Sequence, residues 1–107
     1  MIKIAAIRQN HTYSLVIKGH ANFSKGKDIV CSAVSALYFA LLAAAEKDEG
    51  VYSLKSREAD GFGKIEFSGG ENMKGAFNMA MEGFLLLQRN FPKNVKLIER
   101  KDGYEKN

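Results

Sequence analysis

The chain predicts an α+β fold in two layers: a mostly antiparallel sheet carrying two helices, in the order ββαββαβ. Three observations predict it. Short runs rich in β-branched and aromatic residues come in pairs, joined by turn-like segments, "QNH" at 9–11 and "ADG" at 59–61. A long alanine-rich run follows the first pair, and a run with apolar residues every three or four positions follows the second. At 107 residues and 46% hydrophobic content, the chain has material for one core, so residues 1–107 read as a single domain.

Residues 2–8 and 12–18 supply the first hairpin, with His11 in its turn, where it needs no function. Asp28 has a good N-capping side chain, and the alanine-rich stretch after it runs to about Lys47, where "DEG" stops it with a glycine. "VYSLKSRE" and "FGKIEFS" form the second hairpin around Asp-Gly. From Glu71, Met73, Phe77, Ala80, Met81, Phe84 and Leu87 mark an amphipathic helix, which Pro92 ends. "VKLIER" is a last strand, and the polar tail from Lys101 is expected to fray.

The first helix is apolar nearly all round. A helix of that kind needs cover on more than one side: the sheet, the second helix, whose Gly75 and Gly83 would permit close approach, and, where cover is incomplete, a second subunit. Its uncharged run, Ile29 to Ala45, includes six alanines and two serines in 17 residues, marginal for a bilayer core of about 30 Å, so a buried helix and no membrane are expected. Charges at Lys3 and Arg8 come too early for a secretory signal, and one cysteine forms no internal disulfide, so the expected location is cytoplasmic. Sixteen Lys and Arg against twelve Asp and Glu give a net charge of +4, which favours acidic partners without naming one.

Polar side chains in the first helix fall at Asp28, Cys31, Ser32 and Ser35, on one face of its first two turns; beyond them the face continues as Tyr38, Phe39 and Leu42. Unpaired amides and the positive end of the helix dipole favour a thiolate there, so Cys31 is a candidate nucleophile. His20, after Gly19 at the end of the second strand, is the candidate base, and the first-turn amides would hold an oxyanion. Asp28 would oppose a thiolate unless capping absorbs its charge; its role is capping, substrate contact or orientation of His20. A lone cysteine in an alanine-rich helix also reads as a small buried hydrophobe. Zinc-like ligand spacing is absent, so no metal is expected.

"GHA" at 19–21, a short glycine-bearing loop, and "DIVCSAVSAL" at 28–37 resemble the signature of the ribosomal-processing cysteine proteases, the Prp family. The resemblance implies His20 and Cys31 as a catalytic dyad, with Asp28 and Ser35 as accompanying motif residues. It implies a dimeric, cytoplasmic enzyme without cofactor that removes a short N-terminal extension from a large-subunit ribosomal protein, cutting after an aromatic residue and before a small one. Gly19, Ser32 and Phe23 join Asp28 and Ser35 as supporting or substrate-binding candidates, and the loop 21–27 is expected to close over bound peptide through Phe23. A competing reading is a non-catalytic ribosome- or RNA-associated module using Lys93, Lys96, Arg100 and Lys101. Glu99, Asp102 and Glu105 interleave with these, so direct nucleic-acid binding is not expected.

Overall fold

Turn chemistry sets the two hairpins. In the computed structural model, which describes residues 1–20 and 28–102, β1 (Ile2–Gln9) and β2 (Thr12–Lys18) meet at Asn10, whose φ of 57° is a left-handed conformation that asparagine tolerates. β3 (Tyr52–Ala59) and β4 (Phe62–Ser68) meet at Asp60-Gly61, with Gly61 at φ 66°. Between the hairpins runs α1 (Ile29–Lys47); after them come α2 (Glu71–Asn90) and β5 (Val95–Asp102). The sheet order is β3-β4-β2-β1-β5. Every pairing is antiparallel except β1 with β5, so the sheet is mixed but mostly antiparallel, as predicted. β5 runs to Asp102 instead of fraying from Lys101, because β1 offers a partner along its whole length, up to Gln9 opposite Asp102.

Strand alternation divides the sheet into two faces. Ile2, Ile4 and Ala6 of β1, Tyr13 and Leu15 of β2, and Ile65 and Phe67 of β4 point to the helices and are buried. From α1 come Val30, Val34 and Leu41, and from α2 Phe77 and Phe84. Each such large side chain contributes roughly 1.5–3 kcal/mol of burial. Tyr13 stacks on Phe67 at 5.2 Å and tilts against Phe77 at 4.9 Å. At this end Arg8 is drawn into the core, its guanidinium 5.1 Å from the Phe77 ring centre and Nη2 3.7 Å from Glu99 Oε2.

Of the two glycines expected to let the helices approach, Gly83 does so: a Cβ there would lie 2.7 Å from Leu37 Cδ1. Gly75 faces open space, since it lies on the side of α2 opposite its buried stripe of Met73, Phe77, Ala80, Met81 and Phe84. Cover of α1 is also less complete than expected. The helix is long and apolar enough to cross a membrane, and a third of that window is buried within the chain. The sheet and α2 enclose one side of it, leaving Ile29 and Phe39 more than half exposed.

Candidate active site

Asp28 begins the site. Its extended backbone (φ −95°, ψ 95°) ends the preceding segment, and its Oδ1 accepts from the amides of Val30 (3.0 Å) and Cys31 (2.9 Å). Capping is therefore one role of this carboxylate, and it fixes the backbone of Cys31. It also corrects the expected oxyanion hole. With Ser32 N donating to the Asp28 carbonyl at 3.1 Å, the amides of Val30, Cys31 and Ser32 are all engaged within the cap. A carboxylate at the N-cap competes directly for the donors that an oxyanion would need.

β2 carries the histidine to the same place. Gly19, at φ 99°, turns the chain where a Cβ would collide with the Met1 carbonyl oxygen, and its amide donates to the Gly61 carbonyl at 2.8 Å. That bond ties the end of β2 to the β3–β4 turn, so His20 lies against the turn. A Cβ on Gly61 would be 2.8 Å from His20 Nε2, and Asp60 Oδ2 lies 3.9 Å from the same nitrogen, a pair that becomes ionic when the imidazole is protonated. Asp60 is 99% exposed, so water screens this attraction strongly.

A cleft of about 250 Å³ opens between the first half of α1 and the end of the sheet. His20 and Cys31 both line it, as do Gly19 and Ser35. Asp28 and Ser32 are not among its lining residues; Ser32 is exposed beside it. Phe23 and the rest of the loop 21–27 lie outside the described residues. Among the described residues no three His, Cys, Asp or Glu side chains cluster as metal ligands.

The sequence reading missed the wall opposite α1. Tyr38, two turns beyond Cys31, is 3% exposed, and its hydroxyl donates to Glu58 Oε2 at 2.7 Å. Burial, reinforced by the carboxylate that holds its proton, pushes the phenol well above its usual pKa. Gly63 makes room for this ring: a Cβ there would be 2.8 Å from Tyr38 Cζ. Glu58 and Asp60 give the cleft two carboxylates and, among the described residues, no lysine or arginine. The pairing of β4 with β2, Lys18 opposite Phe62, brings this wall in. Only the Asp-Gly turn signal hinted at it.

A family model described as cysteine protease Prp matches residues 1–96. Among solved structures, the fold resembles SMU.848 from Streptococcus mutans, with a TM-score of 0.74 and 29% identity over 95% of this chain and 96% of that one. It is also similar to the essential ribosomal processing protease Prp from S. aureus. In complex with a covalently linked product peptide, that protein gives a TM-score of 0.74 at 17% identity, over 92% of this chain and 99% of that one. In complex with a substrate peptide it gives 0.71 at 16% identity, with the same coverage. At such identities these two carry the fold alone. The curated proteins include no match. With all but the later part of β5 and the tail inside the family match, the chain belongs to the cysteine protease Prp family.

Proposed function

We propose that this cysteine protease uses Cys31 as nucleophile and His20 as base to remove a short N-terminal extension from a large-subunit ribosomal protein precursor in the cytoplasm. The observation that carries the reading is the meeting of His20 and Cys31, from different elements, on one cleft. The S. aureus ribosomal processing protease of similar fold, solved with a substrate peptide, supports the class of substrate. In the reaction, the Cys31 sulfur attacks the scissile carbonyl, and His20 takes the thiol proton and returns it to the leaving amine. Water then releases the acyl-enzyme. The apolar walls at Ile2, Ile17, Val34 and Phe39 suit an aromatic side chain next to the cut, and Ser35 offers a hydroxyl to the substrate. The uncovered face of α1, with Ile29 and Phe39 exposed, supports a homodimer.

Incubation of a precursor bearing the extension with wild type, Cys31→Ala and His20→Ala tests the assignment. Both variants are expected to melt like wild type and to cleave at less than about a thousandth of its rate. Cleavage retained by either would remove that residue from the mechanism.

A further inference from the structure

The face of the sheet turned away from the helices carries its own pattern. Strand register places Lys18, Lys3 and Lys96 side by side on β2, β1 and β5, with Lys3 directly opposite both of the others. At strand spacings of about 4.8 Å this line of ammonium groups is roughly 10 Å long. Like charges directly opposite one another destabilise a sheet. Among the described residues none of the three pairs with an acid. Lysine on an edge strand guards against sheet-to-sheet aggregation, but β1 and β2 are interior strands, so that purpose does not account for Lys3 and Lys18.

Lys55, Arg57, Lys64 and Arg100 extend the same face, and among the described side chains Glu66 is its one acid. Seven cations and one carboxylate give the described side chains of this face a formal +6. The cleft, by contrast, carries the carboxylates of Glu58 and Asp60. At the edge of the face Arg57 lies 5.1 Å over the Phe62 ring, a planar cation on which an unpaired base stacks.

We propose that this open face binds RNA, with Lys18, Lys3 and Lys96 along the phosphate backbone and the acidic cleft left clear for peptide. The choice of RNA among polyanions rests on the ribosomal reading above. An anionic membrane is disfavoured because the cations are spread over a flat sheet and its exposed large apolar side chains, Ile98 and Tyr52, stand apart on the two edge strands, β5 and β3, rather than together as an inserting ridge. The surface opposes the expectation that direct nucleic-acid binding is absent. That expectation came from the C-terminal charges alone, without the lysines that the sheet brings beside them.

Fluorescence anisotropy of a labelled single-stranded RNA, titrated with the Cys31→Ala protein at several salt concentrations, tests the proposal. Cleavage plays no part in this measurement, so failure of the substrate assignment leaves it readable. Replacing Lys3, Lys18 and Lys96 together by Gln is expected to weaken binding at least about tenfold and to make the plot of log K against log salt shallower by about 2, three phosphate contacts at about 0.7 each. In the chain that retains Cys31, the same triple change leaves cleavage of a short precursor peptide unchanged, and the variant melts no lower than wild type. Replacing Lys47, Lys74 and Lys93 by Gln is the control. An equal loss in the control, undiminished binding by the triple variant, or no binding by the parent protein at low salt would overturn the proposal. So would phosphatidylserine vesicles bound through the same three lysines when RNA is not. If the triple variant fails to fold, the single Lys3→Gln variant is expected to shift the salt slope by about 0.7, and an unchanged slope would overturn the proposal equally.

Discussion

The two helices have nearly the same length and lie on the same side of the sheet, but their sequences serve different ends. α2 is built for burial. Met73, Phe77, Ala80, Met81 and Phe84 form one stripe, Glu71 and Arg89 answer the two poles of the helix dipole, and its N-cap, Gly70, makes no side-chain hydrogen bond. α1 is apolar on nearly every side, and its few polar side chains gather at the end that a carboxylate caps. The contrast shows where chemistry sits. In a helix whose whole surface is fit for burial, polar groups confined to one capped end mark the part that faces something other than the core.

Substitutions in each helix should separate these uses. The largest effect belongs to α2: Phe84→Ala, at a fully buried ring, is expected to lower stability by about 3–5 kcal/mol in denaturant titration. Peptidase activity per folded molecule should hold. If the specific activity of the folded fraction collapses, α2 does more than pack. Next comes the phenol of α1. Tyr38 titrates at its ordinary value, 10.0, when the chain is unfolded, and higher when it is folded, chiefly through burial and then through Glu58. Below pH 10 both states keep the proton and the residue adds no pH dependence. Above it the unfolded state releases the proton first, so stability falls as pH rises, by up to about 1.4 kcal/mol per pH unit. Tyr38→Phe should flatten that fall in melts between pH 9 and about 11.5, and an unaltered slope would refute the assignment.

The cap offers a smaller and more discriminating change. Asp28→Ala removes the acceptor for two amides and is expected to cost about 1 kcal/mol of stability, whereas Asp28→Asn should keep most of it. Rates of thiol alkylation across pH in the two variants would then tell whether the carboxylate's charge or its capping geometry governs Cys31. Equal stability of Asp28→Ala and wild type would show that the cap is dispensable. The smallest effect is a gain. Gly75→Ala, facing open space within α2, should stabilise by up to about 1 kcal/mol, while Gly83→Ala must displace the tip of Leu37 and should gain less or lose. Equal gains at the two positions would mean that α1 and α2 pack loosely where they meet.

Local chemistry made most of the elements readable. Asp-Gly at 60–61, the capping Asp28 and Pro92 after α2 are signals that act within a few residues, and the boundaries they imply agree with the structure. The same reasoning brought Gly19, His20, Cys31 and Ser35 to one place, because a strand end and the start of the next helix are neighbours across a short loop. What stayed hidden depends on contacts between distant parts of the chain. Glu58, Asp60 and Gly63 reach the cleft only because β4 pairs with β2, and no periodicity in either strand encodes which partner it takes. The row of lysines is hidden for the same reason, since Lys3 and Lys96 are far apart until β5 docks beside β1. Two local features were misjudged: Gly75 lies away from the apolar stripe of its own helix, and the capping side chain of Asp28 was recognised while the donors it engages were also assigned to an oxyanion.

The parallel pairing of β1 with β5 has a consequence in time. Ile2 lines the cleft, its amide donates to the Asn94 carbonyl at 2.8 Å, and it stands in register with Val95. A chain emerging from synthesis has its thiol and histidine long before it has the strand that holds this wall in place. Contacts that join the two ends of a sequence also close late in folding, since the loop between them is costly to order. The peptidase is therefore completed by its last strand, and a half-made copy, thiol included, has no finished cleft in which to cut its neighbours.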